Sequence, residues 1–515
     1  MAKSQFQKFD GTTNIFVIGL TLLYFGISLV GISSHELWLD EAHHWLLARD
    51  SGSFSELVFN TRYEGHPILW NILLFWITRF SFNPLWMQFL HTLLASLVAF
   101  YFLKRSPFSW PFKVLFIFGY FMIFEYSVIS RNYIMGILFL FLACGAFKER
   151  EKKFLIICIF LAHACNTHVM FSIVAFSLFI SIIVEKLMIL KKLSGVEIAG
   201  CLIFLTGVGI MVLQVLPPDD TKFFNHVHET PLHEKFTKGF IALFKGLLTI
   251  PDFTSIHFWN SNYLVNLSKP LASVLGVVVY VLPLFLFLKK LRVLLFVYLA
   301  LLGIQIFFFI TQLGATRYDG LALIIIIVAL WISNYYPDEK NWLSDYLKLF
   351  NTEMIGKPVM YVILLIQFGS GIYAFGMDYR YRFSGSKDAA EYLISIKDPN
   401  TTIVSGSCEG TSLSPYLQEK VWTLCTGTPE SFCRWNSICT YKIEKDSMLP
   451  VLARFMLNRK KALCVLNDSI PYLSNKGWQQ IDKSTRLRFL KKYDENVVRK
   501  SNYFIYEIVR TNGNQ

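Results

Sequence analysis

Directly after a first long apolar run, Thr13–Ile32, the chain reads His35-Glu36-Leu37-Trp38-Leu39-Asp40-Glu41-Ala42-His43-His44-Trp45, and a little further on Tyr63-Glu64-Gly65-His66-Pro67. Asp40, Glu41, His43 and His44 place two acids and two imidazoles within one short stretch. Glu64 and His66 add a third acid and a third imidazole. Such a set supplies a general base and hydrogen-bond donors for a phosphate or a sugar. Ionisable groups beside a membrane segment are costly to keep there and point to function. Asp40, Glu41, His43, His44 and His66 are also acceptable ligands for a divalent ion, but they form no HExxH or H-x3-H spacing. No metal is assigned to them on this pattern.

Further polar breaks recur along the apolar chain. Arg131 lies between apolar runs 112–129 and 132–147, in Ser130-Arg131-Asn132-Tyr133. His163, Asn166 and His168 interrupt another apolar stretch, and Thr316-Arg317-Tyr318-Asp319 opens a later one. Asn166, His168 and Arg317 read as site-lining residues, and His163 as a satisfied core histidine. Arg131 has Glu125 as an alternative partner. Arg317 has Asp319, or it snorkels to the interface.

The elements that must carry these residues are membrane helices. Of 515 residues, 54% are hydrophobic and only 17% are charged, and Phe alone accounts for 48. The mean hydropathy is +0.44. An ordinary soluble domain carries about 25% charge, so the composition excludes a cytosolic enzyme, a disordered chain and a nucleic-acid module. The net charge of +13 fits basic loops on the cytoplasmic side. Apolar runs of about 20 residues, long enough to cross a bilayer as a helix, recur at 13–32, 84–103, 112–129, 132–147, 169–184, 196–216, 271–288, 293–313, 318–335 and 358–376, with shorter ones at 67–80 and 154–166. The basic clusters at Lys148–Lys153, Lys186–Lys192 and Lys289–Arg292 share one side if the run at 67–80 or its neighbour is only partial. The expectation is a polytopic all-α bundle of about 11 transmembrane helices over residues 1–376. Its N-terminus is cytoplasmic, and its loops 33–66 and 217–270 face outward. The 217–270 loop contains His226, His228 and His233, then an amphipathic stretch around Phe236–Leu248 that reads as a lid or surface helix.

Residues 377–515 differ in kind. They hold 21 Lys and Arg against 14 Asp and Glu, a difference of +7. β-rich stretches at Thr401–Ser405, Val421–Leu424, Ala462–Leu466 and Tyr503–Val509 alternate with helical ones at Ser386–Ile396 and Met448–Asn458. The pattern predicts a soluble α/β domain on the extracytoplasmic side. Cys408, Cys425, Cys433 and Cys439 lie close together in it, and one or two disulfides suit that compartment.

Three short motifs then give a resemblance. Asp40-Glu41-Ala42-His43 resembles the D-E-x-H motif in the first outer loop of protein O-mannosyltransferases. Glu64-Gly65-His66-Pro67-Ile68-Leu69 resembles their acidic-x-His-Pro-Pro-Leu motif and, more loosely, the Glu-x-Pro-Pro-Leu of lipid A aminoarabinose transferases. Ser130-Arg131-Asn132-Tyr133 resembles the S-R-Y turn of the same enzymes. Ile68 replaces the second proline, and the acid that usually follows the S-R-Y turn is absent, with Met135 and Gly136 nearby. Residues 377–515 match nothing in that group.

The resemblance is to the GT-C class of integral-membrane glycosyltransferases. It implies a GT-C-like bundle in the plasma (inner) membrane, a polyprenyl-phosphate sugar donor, and a protein, lipid or glycan acceptor. No nucleic acid is implied and no cofactor is required, although donors for a divalent ion are present. Asp40 matches the family's catalytic acid position and is the expected base for an inverting transfer, with Glu41 or Glu64 assisting. His43, His44, His66, Arg131, Tyr133, Asn166, His168 and Arg317 are the expected substrate-binding residues, the two arginines taking the lipid phosphate. The competing class is a lipid or glycan transporter or flippase, which would place its ionisable groups near the midplane and commonly shows inverted repeats. Neither feature is evident in the sequence.

Overall fold

The computed structural model describes residues 11–190, 193–221, 231–311, 314–340, 352–436, 443, 447–470 and 477–511. His226, His228 and Cys439 lie outside the described residues.

All but one of the apolar runs form a helix, because a backbone in lipid must satisfy its hydrogen bonds within its own segment. Among the described residues, eight helices are long and apolar enough to cross a membrane, including Leu85–Arg105, Val169–Met188, Leu291–Thr311 and Ile355–Arg380. The remaining runs are shorter. Leu69–Thr78 has 10 residues, Tyr133–Ala146 has 14 and Phe154–Cys165 has 12. The run at 112–129 does not continue as one helix. It stops at Ile117 and re-forms as a π-helical turn, Phe121–Glu125, before an irregular stretch up to Asn132. Such turns are frequent at functional sites, and this one precedes Arg131 by six residues.

Burial separates the centre of the bundle from its rim. Along Leu321–Ser333 every residue except Leu330 is buried, so this helix is the axis. By contrast, Leu202, Leu205 and Leu213 on Gly195–Val215 are 60%, 51% and 72% exposed, an apolar face turned to lipid. The helix Leu232–Leu247 is not a surface lid. Leu243, Phe244 and Leu247 are at most 4% exposed. A Cβ on Gly246 would stand 2.0 Å from the Asp319 carbonyl oxygen. This helix is a wall of the bundle, locked further by Lys245–Asp319 at 2.9 Å. Its amphipathic pattern reflects one face against protein and one against lipid.

The last bundle helix runs through to Arg380, and the α/β domain begins just after it. Among the described residues, seven strands form one sheet in the order β3-β2-β1-β4-β7-β6-β5: β1 Thr402–Ser405, β2 Val421–Thr423, β3 Thr428–Glu430, β4 Lys461–Leu466, β5 Gln479–Gln480, β6 Thr485–Tyr493 and β7 Tyr503–Arg510. β1 is parallel to both β2 and β4, and the other pairings are antiparallel. The predicted stretches are β1, β2, β4 and β7. Strand β6 escapes a reading by alternation, because a register shift between Phe489 and Lys491 breaks its period. A disulfide joins Cys408 to Cys433, and Cys425 is also disulfide-bonded.

The domain is docked on the 35–66 segment. The Leu37 N–H donates to Tyr416 Oη at 2.8 Å, and Ser386 Oγ donates to the Leu37 carbonyl at 3.0 Å. Helix Leu39–Asp50 is consequently buried from Glu41 to Ala48, between the bundle and the α/β domain.

Candidate active site

Asp40 sits in the first turn of helix Leu39–Asp50, where the helix dipole favours a carboxylate. Its Oδ2 accepts from two guanidinium groups, Arg131 Nη1 at 2.8 Å and Arg317 Nη2 at 3.1 Å. The Asp40 side chain keeps 25% exposure while Arg131 retains only 3%. Burial acts to raise the Asp40 pKa, but Arg131 and then Arg317 outweigh it and hold the carboxyl below its ordinary range. Arg131 therefore takes Asp40 as its partner. Glu125 turns elsewhere, accepting from Tyr120 Oη and Trp259 Nε1, each at 3.0 Å.

Both arginines are held from behind. The Ser130 N–H donates to Glu41 Oε1 at 2.6 Å, Asn132 Nδ2 donates to the Thr167 carbonyl at 2.6 Å, and the His91 ring lies between the Ser127 and Arg131 carbonyls at 3.0 and 2.9 Å. Arg317 belongs to the four-residue helical turn Thr316–Asp319 at the head of the axial helix. Tyr126 Oη donates to its carbonyl at 2.7 Å, and its guanidinium lies 4.9 Å from the centres of both the Trp38 and Tyr318 rings, a cation–π clamp. The Nε of each arginine is buried with no partner among the described residues, so both cations retain a donor for a ligand.

The imidazoles surround this centre. His43 Nε2 lies 2.6 Å from Glu64 Oε1, and His44 Nδ1 lies 2.8 Å from Asn71 Oδ1. Gly65 adopts φ +62°, a conformation that L side chains rarely adopt. The turn allows Glu64 and His66 to line the same cavity. Burial, reinforced by the nearby Arg131 charge, drives the His66 pKa down to about 3 and keeps His44 well below the ordinary imidazole value. Both rings are thus neutral donors and acceptors at physiological pH.

Asp40, His43, His44, Glu64, Arg131 and Arg317 line one cavity of about 250 Å³, together with His66. Other predicted residues do not reach it. Glu41 lies beneath it, fully buried, and bonds to Ser130 and His35. Tyr133 and His168 stand behind His66: the His66 and His168 rings are 4.4 Å apart, and Tyr133 Oη is 3.3 Å from His168 Nε2. Asn166 is turned away and donates to the Ala162 and Gly207 carbonyls at 2.8 and 2.9 Å. It also accepts from Gln214 at 3.1 Å, whose own Oε1 receives the Ile68 N–H at 2.7 Å. It positions the His66-Pro67-Ile68 turn from a distance. His163 is exposed on the rim, its Nδ1 2.8 Å from the Ile159 carbonyl, and is not a core histidine. Among the described residues, no group of three or more His, Cys, Asp or Glu is disposed to hold a metal ion.

Sequence reasoning missed Asn71, which is buried inside an apolar run, and Trp435, which reaches the cavity wall from the α/β domain. A lone Asn in the helix Leu69–Thr78 was the available signal for the first. Nothing local marks the second.

The chain shares its fold with a solved structure. The crystal structure of ArnT from Cupriavidus metallidurans bound to undecaprenyl phosphate superposes with a TM-score of 0.51 at 10% identity, covering 96% of this chain and 97% of that one. The apo state of ArnT from the same organism matches at a TM-score of 0.46 and 11% identity, covering 95% and 98%. No family model matches the chain, and no curated protein matches it.

Proposed function

We propose that this multi-pass membrane protein is an inverting glycosyltransferase. It moves a sugar from a polyprenyl-phosphate donor to an acceptor hydroxyl on the extracytoplasmic face. The observation that carries the reading is the Arg131–Asp40–Arg317 bridge in a cavity at the end of the bundle. The fold it shares with an undecaprenyl-phosphate-bound ArnT structure is consistent with that donor class.

Each residue then has a task that its geometry suits. A lipid phosphate entering the cavity offers several oxygens to two guanidinium groups that now share a single carboxylate oxygen, and bidentate phosphate contacts are among the strongest available to arginine. The donor phosphate displaces Asp40 from part of that contact. Asp40, whose Oδ1 accepts from none of the described residues, takes the proton of the acceptor hydroxyl as that oxygen attacks the anomeric carbon from the face opposite the phosphate. The C–O bond to phosphate breaks, and the arginines hold the polyprenyl phosphate that leaves. His43 with Glu64, His44 and His66 orient the sugar hydroxyls. Glu41 positions the Ser130–Arg131 backbone without touching substrate. No step requires a cofactor, and turnover is expected to survive a chelator.

The test uses full-length protein in nanodiscs with undecaprenyl phosphate and its hexosyl and pentosyl esters. Wild type is expected to bind the lipid and turn over one of the esters, and Asp40→Asn to bind without turnover. Failure of wild type to bind undecaprenyl phosphate, or full turnover by Asp40→Asn, overturns the mechanism. Cysteine-accessibility labelling checks orientation, with loop 35–66 and the α/β domain expected outside.

A further inference from the structure

A second cavity, of about 240 Å³, lies in the α/β domain beyond the carboxyl ends of β1 and β2. Its position follows from topology. β1 has parallel neighbours on both sides, β2 and β4. The chain leaves β1 toward β2 and crosses back over β1 to reach β4. The strand order reverses between β1 and β4, so the cavity lies one strand over from the crevice at that reversal, on the carboxyl-end side of the parallel strands where ligands bind.

The lining defines the ligand. It is rich in hydroxyls, with Thr411, Thr423, Thr426 and Thr428 facing the cavity and the ring of Phe432 in its wall. Thr411 and Thr423 are only 4% and 5% exposed. Their hydroxyls make no hydrogen bond with any described residue and are not among the buried polar atoms cut off from solvent, so they stand open to a ligand in the cavity. The charged groups in the lining are one carboxylate, Glu430, and one guanidinium, Arg434, whose Nη2 is taken by Asn60 Oδ1. The one helix that starts there, Glu409–Leu417, carries its own carboxylate at its head, where Glu409 Oε2 accepts from the Ser407 N–H at 2.5 Å and Ser407 Oγ at 3.2 Å. The volume is below that of a typical drug-sized pocket and has no long apolar wall for an acyl chain. Hydroxyls around a small polar space beside one aromatic face suit a sugar ring.

The cavity is also tied to the candidate active site. Residues Phe432 to Trp435 form one strip. Phe432, Cys433 and Arg434 wall this cavity, while Trp435 walls the one holding Asp40. The Cys408–Cys433 disulfide fixes that strip to the loop after β1, and Arg434 Nη2 donates to Asn60 Oδ1 at 3.1 Å. The wall is thus preorganised against both the sheet and the 35–66 segment.

We infer that this cavity is a carbohydrate-binding subsite that holds a sugar unit of the acceptor. The word acceptor rests on the transferase reading; sugar binding itself does not, and it is measured without turnover. The experiment is saturation-transfer NMR on full-length protein in nanodiscs. The probes are free hexose, N-acetylhexosamine and pentose mono- and disaccharides, and the same headgroups on a short-chain lipid. Binding of at least one headgroup is expected, weakened at least tenfold in Thr411→Val/Thr423→Val and in Thr428→Trp, which puts an indole into the lining. Response to both free and lipid-borne sugars identifies the ring as the ligand, and response to the lipid-borne form alone identifies a glycolipid. Both support the inference. Absence of binding by wild type, or equal binding by the double valine and tryptophan variants, overturns it. Sugar binding lost in the pocket variants of a protein that turns over no donor would leave the subsite standing and remove the transferase reading.

Discussion

His35 Nδ1 and Asp378 Oδ2, 343 residues apart in the chain, lie 2.9 Å from each other. The other ring nitrogen of His35 is 3.0 Å from Glu41 Oε2, and the Glu41 Oε1 receives the Ser130 N–H. One imidazole therefore connects the end of the first bundle helix, the end of the last one and the backbone beside Arg131.

This junction is expected to loosen in alkali. Burial acts to lower the His35 pKa, but the Asp378 and Glu41 carboxylates prevail and raise it to about 10. A histidine charged in the folded state and neutral when unfolded contributes stability that is complete below its unfolded pKa, about 6.5, and is lost as pH rises toward 10. The neighbouring Glu36 acts in the same direction. Burial, then Asp388, raises it to about 8, so the folded state holds a proton that the unfolded state releases and stability declines from about pH 4.5 to 8. Thermal unfolding midpoints followed from pH 6 to 10 should fall, and less steeply in Glu36→Gln. His35→Ala leaves two buried carboxylates without their cation and should cost about 3–5 kcal/mol. An unchanged midpoint in that variant would dismiss the clamp.

Arg131 and Arg317 should both weaken binding of undecaprenyl phosphate when truncated to alanine. A charged hydrogen bond is worth about 1.5–3 kcal/mol, so roughly a 10- to 150-fold rise in Kd is expected for each. Asp40→Asn should bind the lipid at least as tightly as wild type, since the amide no longer competes for the guanidinium groups, while turnover falls about 10²–10⁴-fold. Isothermal titration separates the two effects. Weaker lipid binding in Asp40→Asn would contradict the competition.

Turnover should be flat through neutral pH. Asp40 is held below the ordinary carboxylate range by Arg131 and Arg317 against the opposing effect of burial, and His66 stays neutral down to about pH 3. As pH falls, the base form of Asp40 persists until the medium is more acidic than a free aspartate would tolerate. A rate profile with an acid limb near pH 6 would place the base on another residue.

Gly246 permits close contact between a wall helix and the turn that carries Arg317. A Cβ there meets the Asp319 carbonyl at 2.0 Å, and backbone cannot swing aside as a side chain does. Gly246→Ala should lower stability by about 1–3 kcal/mol and reduce donor affinity through displacement of Arg317. Gly209→Ala, at a position with open space around it, is the control and should change neither.

The division between what was readable and what was not follows from the range of the forces. Local patterns determined the membrane class, the helical runs, the strands β1, β2, β4 and β7, and the concentration of chemistry in Asp40–His44, Glu64–His66 and Arg131. Apolar runs report their own helices because lipid leaves the backbone no other partner, and charged residues in such runs stand out against their neighbours. Tertiary structure decided the rest. Asp40 takes Arg131 and Arg317 as partners at separations of 91 and 277 residues, which no spacing rule anticipates. Glu41 and Asn166 resemble site residues by type yet turn inward or aside, because each satisfies backbone groups that would otherwise be buried without partners. Trp435 joins the cavity only because the α/β domain docks on Leu37. Residue chemistry is written locally, whereas the pairing of buried charges depends on which helices end at the same depth.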